Sequence, residues 1–436
     1  MPVLACLPRI DGSQWADATA VHQRQLQRLD ELVRHFRSAD PVYERLLRAA
    51  GADDVKIRDE ADLVRLPILE RSHLRELADG IRQRGRGRHP RFSVRLTGGS
   101  TGAPAAVLID PAASAMSLAA RVICQRWHGL ELGHRQVRLW GRPPASGHLR
   151  ASLKDWLLNR MSLDSLALEP PQLARSLARV SRFGPEYLYG YTSLIQLFAE
   201  RIPSGQLAGI LHRLMAAVCT SETMLAPQQA QLERALGCPV VEEYGCSEVD
   251  IIAYQCPAGG RHVVGENVLV ETHRDGDEPD GYGQVLVTDL NNRVMPIIRY
   301  RLGDLAPLER PRCSCGRGWP CLGPVLGRSQ GQYIQAPGRG LVHSQMVVYL
   351  VERLVAKGVG ISRFKIIQDE VDHLRIALVP SDQTSFDLAG LGAFFRREGQ
   401  AVLGPDMTWT VEQTTSEMLE RGRINKFQHF ESRIVS

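Results

Sequence analysis

HRLMAAVCTSETMLAPQQAQLERALGCPVVEEYGCSE, residues 212–248, holds two short apolar runs that each break off into polar residues. Between them "APQQAQLERALG" has helical spacing and stops at Gly237. A strand, a helix and a strand in succession is the pattern of parallel pairing through a helical crossover, and ligands of such sheets bind beyond the carboxyl ends of the strands. The pattern extends upstream. "QVRLWG" reads as a strand, "PPQLARSLARVSRFG" as a helix, "EYLYGY" as a strand and "TSLIQLFAERIP" as a helix. Residues 14–80 repeat apolar positions at intervals of three and four and read as helices.

Downstream, from about 262 to 310, "HVVGENVLVETH", "GQVLVTDL" and "MPIIRYRLGDLAPL" are β-rich. After Arg328 a smaller segment follows, with the helical "MVVYLVERLVAKG", a strand pair in "RFKIIQDEVDHLRIALVP", a polar helix and a tail ending "RGRINKFQHFESRIVS". The expected fold is therefore α/β. A large N-terminal domain, 1–327, has parallel sheets flanked by helices plus a β-rich subdomain; a small, mobile α+β domain occupies 328–436.

A chain of 436 residues with 44% hydrophobic and 23% charged residues has the composition of a globular protein. The net charge of +5 is too small and too dispersed to imply a nucleic-acid partner. No run approaches the ~18 apolar residues of a membrane span, and the N-terminus lacks a signal-peptide pattern, so a cytoplasmic location without membrane association is expected. Lysine is scarce, confined to Lys56, Lys154, Lys357, Lys365 and Lys426. A lysine at a chemically suggestive position is thus harder to dismiss as surface decoration.

Three stretches point to chemistry. In "RLTGGSTGAPAAVLID", residues 95–110, glycines and hydroxyls lie between two short apolar runs. Glycine lets backbone N–H groups approach an anion while Ser and Thr add donors, which suits a polyphosphate; a surface hairpin turn would use the same residues. No Gly-Lys-Ser/Thr follows, so the loop is not a Walker motif. In "EEYGCSEVD", residues 242–250, Tyr244 beside Gly245 can cover a flat base, and Glu248 can hold Mg²⁺ against phosphate oxygens; the structural alternative is a capped strand end. In "RYRLGDL", Asp304 follows a tight turn at Gly303 and can accept hydrogen bonds from a ribose.

Cysteine is clustered. "CPAGGRH" supplies Cys256 and His262, and "CSCGRGWPC" supplies Cys313, Cys315 and Cys321. An odd total of nine, with no secretory signal, argues against disulfides, and thiolate with imidazole at these spacings suits tetrahedral Zn²⁺. Cys256, His262, Cys313 and Cys315 are the expected ligands, with Cys321 in reserve; buried free thiols are the alternative. With four protein ligands the ion would be structural. Trp140, Tyr189, Tyr191 and Trp319 can wall an aromatic substrate, although large aromatics are more often core. Cys246 lies in the second motif with acidic neighbours, which argues against a nucleophilic role.

Taken together and in order, these motifs resemble the adenylate-forming superfamily of acyl-CoA synthetases, nonribosomal adenylation domains and luciferases. The likeness is greatest to phenylacetate-CoA ligases and their capsule-biosynthesis-type relatives. It runs from about residue 20 onward and includes "YLYGYTSLIQLFAE", "CTSETMLAPQQAQLERALGCPVVEEYGCSEV", "IIRYRLGDL", "CSCGR" and "LGRS". The resemblance implies that a carboxylic acid attacks the α-phosphorus of ATP, and that a nucleophile then displaces AMP from the acyl-adenylate. By position, Thr97, Ser100, Thr101 and Gly102 would hold the phosphates, Tyr244 the adenine, Glu248 the Mg²⁺ and Asp304 the ribose. Ser221, Glu222 and Glu243 would line the adenine and substrate side, Arg328 would sit at the hinge, and Lys426 would contact the adenylate. The zinc ligands match cysteine and histidine positions of the capsule-type branch. Homodimers are common in the family, and nothing in the sequence separately establishes one.

Departures from the family pattern leave the acceptor open. Ala103 stands where relatives commonly carry a lysine, and "SQGQ" after Arg328 replaces the hinge aspartates. "QAPGRGLVHSQ" lacks the Asn-Val-Phe-Pro-like sequence of phenylacetate-CoA ligases. The leading expectation is ATP- and Mg²⁺-dependent activation of a small aromatic carboxylic acid, with transfer to CoA, an amine or a hydroxyl. The rivals are a CoA-independent amide or ester synthetase of specialised metabolism, and a non-catalytic nucleotide-binding scaffold of the same fold.

Overall fold

The computed structural model describes residues 3–84, 92–96, 106–140, 155–163, 165–168, 170–202, 204–222, 226–276, 281–325, 333–338, 340–344, 357–381, 385–420 and 429–434, with isolated positions between these stretches. Thr97, Ser100, Thr101, Gly102, Arg328 and Lys426 lie outside the described residues. The chain forms two compact units, Met1–Leu132 with Val241–Val325 and Gly133–Val240 with Leu326–Ser436.

In the first unit, helices Ala18–Ala39, Pro41–Ala49, Arg71–Arg84 and Pro111–Arg126 accompany three sets of strands. Helix starts are written in side chains. Asp40 closes one helix by donating its N–H to Phe36 O and opens the next, its carboxylate accepting from Val42 N (2.9 Å) and Tyr43 N (3.1 Å) ahead of Pro41 at the first helical position. Asp110 caps Pro111–Arg126 through Ala113 N (2.8 Å), while its second oxygen accepts from Arg293 N (2.8 Å) and so ties the helix to the β-rich region.

Strands Ser93–Leu96 and Ala106–Ile109 pair antiparallel across the residues of the glycine loop. Val240–Cys246, Asp250–Gln255, Arg261–Val263 and Cys321–Leu322 follow one another in a second antiparallel set. Val268–His273, Tyr282–Asp289 and Tyr300–Pro307 make a three-stranded antiparallel sheet, the β-rich texture expected for 262–310. One apolar core joins both chain segments, from Leu26 and Phe36 through Val107 to Val249, Val285 and Leu322.

The second unit holds the parallel sheet of the predicted α/β class. Ala216–Thr220, Tyr187–Tyr191, Gln136–Leu139 and Arg160–Leu163 lie side by side, all pairs parallel. Helices Pro170–Phe183, Thr192–Arg201 and Ala226–Leu236 supply the crossovers, and Val137, Leu139, Leu188, Ala217 and Cys219 pack into their core. The opening strand, helix and strand thus appear as Ala216–Thr220, Ala226–Leu236 and Val240–Cys246. The same unit contains a four-stranded mixed sheet, ordered Thr408–Gln413, His373–Pro380, Ile361–Glu370, Phe430–Ser432, with helix Leu388–Leu403 and its own core around Phe395 and Ile376.

The expected boundary at 327/328 falls among residues outside the description. Segment 326–436 groups with 133–240, through contacts such as Gln196 Nε2 donating to Ser362 O (3.2 Å) and Ser416 Oγ to Glu200 (3.2 Å).

Candidate functional site

In the first unit, two strands bring the central motif residues together. Tyr244 lies on Val240–Cys246 beside a bulge at Gly245, where a Cβ would come within 2.3 Å of Asp250 O, so only glycine fits. Asp304 lies on Tyr300–Pro307 after Gly303, whose φ of +81° also favours glycine. Tyr244 Oη donates to Asp304 Oδ2 at 2.7 Å, although sixty positions of sequence separate them.

Glu248, in the turn after the bulge, is 5% exposed and accepts from Tyr300 Oη at 3.3 Å. Burial, followed by the Glu248 carboxylate, raises the Tyr300 hydroxyl well above its ordinary range, so it remains a donor. The same two causes push the Cys246 thiol well up, consistent with the expectation that it is no nucleophile. Tyr300 is itself fixed by its neighbour. Arg299 takes φ +49° and is 2% exposed, and its guanidinium donates to Glu271, Val64 O and Leu66 O.

Glu243 presents both carboxylate oxygens to Arg121, at 2.9 and 3.1 Å. The same guanidinium reaches Asp250, which also accepts from Arg95 Nη2 at 3.1 Å. Burial opposes ionisation of Asp250, but Arg121 and Arg95 outweigh it and hold its carboxyl below the usual range. Arg121, Asp250 and Tyr300 had no signal of their own in the sequence.

In the second unit, Ser221 follows Ala216–Thr220 with φ +71°, unusual for a residue with a side chain. Glu222 accepts from Ser193 N (2.7 Å) and Ser193 Oγ (3.0 Å), so it caps the helix that begins at Thr192. Just past strand Gln136–Leu139, Trp140 lies parallel to Tyr189 (5.9 Å between centroids), in the middle of strand Tyr187–Tyr191, and 4.4 Å from Tyr191 at its end, with the Arg138 guanidinium 4.4 Å over the Trp140 ring. Gly190 permits this closeness, since a Cβ there would strike Leu139 O. Trp319 belongs to the first unit, where it is buried as part of the cysteine strap.

The strap forms the clearest donor cluster. Cys256 ends strand Asp250–Gln255 in a tight turn, His262 lies on the next strand, and Cys313 and Cys315 close over them. Their four donor atoms lie within 4.8 Å of one another, with Cys256 Sγ 3.6 Å from Cys313 Sγ and Cys315 Sγ 3.1 Å from His262 Nε2. Thiolates bound to one Zn²⁺ at about 2.3 Å in tetrahedral geometry stand about 3.8 Å apart, so the donors span the right volume. His262 Nδ1 is 2.9 Å from Trp319 O, which can only accept, so Nε2 carries the lone pair toward the thiols. Burial lowers the His262 pKa and keeps the ring neutral. Cys321 sits at the rim, its Sγ 3.6 Å from His262 Nδ1 and its burial pushing the thiol up to about 12. Two surface cavities, of about 250 Å³ around Arg24 and Glu266 and about 370 Å³ around Arg375 and Glu431, include none of these groups.

The fold is shared with a solved CoA ligase. A solved structure of 2-hydroxyisobutyryl-CoA ligase, in the postadenylation state with R3-HIB-AMP, matches 98% of this chain and 92% of its own with a TM-score of 0.73 at 19% identity. By sequence the chain is similar to phenylacetate-coenzyme A ligases and to Protein CapK. Phenylacetate-coenzyme A ligase of Thermus thermophilus is 26% identical across 88% of this chain and 84% of its own. Protein CapK of Staphylococcus aureus is 22% identical across 82% and 78%. No family model matches. These relatives bear out the resemblance read from the motifs. Among the described residues, no helix is long and apolar enough to cross a membrane.

Proposed function

We propose that this protein is an ATP-dependent ligase that activates a small aromatic carboxylic acid as its acyl-adenylate and passes the acyl group to a nucleophile. The observation that carries the reading is the 2.7 Å link from Tyr244 to Asp304, next to the buried Glu248 backed by Tyr300. An aromatic face, a ribose-binding carboxylate and a metal-binding carboxylate are what a Mg-nucleotide requires, and the adenylate-forming fold of the relatives agrees.

The acid's carboxylate oxygen attacks the α-phosphorus and the bond to the β-phosphate oxygen breaks, releasing pyrophosphate. The acceptor then attacks the acyl carbonyl and AMP departs. Carboxylates are poor electrophiles, so the protein's work is positioning and neutralising charge. Thr97, Ser100, Thr101 and Gly102 hold the phosphates. Tyr244 covers adenine with its hydroxyl pinned by Asp304, which receives the ribose hydroxyls. Bound Mg²⁺, held by Glu248, supplies charge neutralisation at the phosphates. Ser221, Glu222 and Glu243 shape the walls, two of them through the helix and arginine they engage. Arg328 contacts the nucleotide from the hinge, and segment 328–436 acts as a small domain that delivers Lys426 to the adenylate.

Trp140 and Tyr191 support an aromatic acid, since they stand at the carboxyl ends of parallel strands, where ligands of such sheets bind, with Tyr189 stacked on Trp140. Cys256, His262, Cys313 and Cys315 hold a structural Zn²⁺. Acid-dependent exchange of labelled pyrophosphate into ATP, across benzoates and phenylacetates, tests the reading. Exchange with at least one aromatic acid is expected, and its absence across the panel would favour a scaffold. Ala103 and the "SQGQ" hinge favour a second version in which the acceptor is an amine or hydroxyl; acyl transfer to aminobenzoates with CoA omitted distinguishes it.

A further inference from the structure

Arg121 projects from helix Pro111–Arg126 onto the hairpin that carries Tyr244 and Glu248, and it grips both arms. Nε and Nη2 take the two oxygens of Glu243 on one strand, and Nη2 also takes Asp250 Oδ1 (2.5 Å) on the other. Between those anchor points lie the Gly245 bulge and the Glu248 turn, and the second anchor, Asp250, takes φ +66°, a costly conformation for a residue with a side chain. Arg95, on strand Ser93–Leu96, completes the group through Asp250 Oδ2.

We propose that Arg121 is a positioning residue for the nucleotide site. Its fork fixes the separation of the two strands, holding Tyr244 against Asp304 and Glu248 against Tyr300 in the geometry that receives Mg-ATP. Two guanidinium groups face two carboxylates, so the group has no net charge with which to attract ATP, and its effect must come from shape. A planar fork holds one acid bidentately while reaching a second at a fixed angle; an ammonium, a point charge with rotatable donors, does not fix that geometry. The hairpin has a second brace that survives loss of the fork. Ser117 Oγ of the same helix bonds Asn267 Oδ1, and Asn267 Nδ2 donates to Val249 O (3.2 Å) and Ile251 O (2.8 Å) on either side of Asp250. Substitution at Arg121 should therefore loosen the turn without unfolding the unit.

This inference rests on the nucleotide reading of Tyr244, Glu248 and Asp304. Its test uses the full chain with Arg121→Lys, which keeps the charge, and Arg95→Gln, which removes only the outer link. Calorimetric titration gives the Mg-ATP dissociation constant, and exchange kinetics give separate KM values for ATP and acid. Arg121→Lys should weaken Mg-ATP binding by about tenfold and leave the KM for the acid within about twofold, in keeping with a modest misplacement of binding groups. Arg95→Gln should show the same split with a smaller effect, which keeps the idea testable if Arg121→Lys fails to fold. In a Glu248→Gln background Arg121→Lys should cost little more, because both act on one turn. Unchanged Mg-ATP binding in both variants, an equal rise in the KM for acid, or full additivity with Glu248→Gln would overturn the proposal. A parent protein that binds no Mg-ATP would remove the functional reading and this inference together. Normal exchange in the parent with unperturbed variants would remove this inference alone.

Discussion

Replacing Cys315 by serine tests the metal cluster where its structural consequences are largest. The strap 313–321 reaches beyond its own donors to residues 13–16. Gly318 N donates to Gln14 O (2.8 Å), Arg317 Nε to Gln14 Oε1 (3.0 Å) and Trp319 Nε1 to Ser13 Oγ (3.3 Å), while Trp127 Nε1 reaches the same Gln14 oxygen (2.7 Å). The three bonds made by the strap itself, at a net of about 1 kcal/mol each, plus about 4 kcal/mol for the buried Trp319, place on the order of 3–7 kcal/mol on an ordered strap. For a unit of this size, each kcal/mol moves the melting temperature by about 2–4 °C, so Cys315→Ser should lower it by roughly 10 °C or more. Metal analysis of protein purified without chelators should give one zinc per chain for the parent and for Cys321→Ser, and a small fraction for Cys315→Ser. Tryptophan emission should shift to the red in Cys315→Ser alone, since Trp127 and Trp319 both lie beside the cluster. Less than a tenth of an equivalent of zinc in the parent, or unchanged melting on its removal, would refute the reasoning.

Lys426→Ala should lower pyrophosphate exchange at least ~10²-fold, as expected for loss of one charge-stabilising donor, while ATP binding largely survives; a normal exchange rate would remove Lys426 from the mechanism. Asp289 supplies a pH test. Burial, opposed by the N–H groups of Asn291 and Asn292, raises its carboxyl from 3.8 to about 6, so its contribution to stability is full below about pH 3.8 and lost as pH rises through 6. Asp289→Asn keeps the acceptor oxygen for both N–H groups and should be stabilising by up to about 3 kcal/mol at pH 8 and by almost nothing near pH 4. Parallel urea midpoints for the two proteins across that range would contradict it.

Local chemistry in the sequence forecast what is local in the fold. The strand and helix succession from 136 to 246 follows from periodicity and stop signals, and the cysteine and histidine spacing anticipated four donors that now lie within 4.8 Å. The strand Arg160–Leu163 leaves only a faint trace, because "RMSL", though it alternates, is four residues long and contains no β-branched or aromatic residue. Helix Val3–Ser13 was equally silent, since Pro8 inside it argues against a helix. Arg121, Asp250 and Tyr300 were invisible for a different reason. Each meets its partner across strands or between helix and sheet, and such pairs leave no periodic trace in the chain. The two compact units likewise depend on distant contacts, whereas reading along the sequence suggests a single cut.

The first unit is built from two stretches of chain with the whole of 133–240 between them. During synthesis, Leu26, Phe36 and Val107 emerge long before Val249, Val285 and Leu322, with which they share a core. At about 5–20 residues per second, the roughly 190 residues from 132 to 325 take about 10–40 s to translate. For that interval the early helices must wait beside the ribosome with apolar faces uncovered, a window in which a chaperone would bind them, and in which slower codons across 133–240 would cost soluble yield.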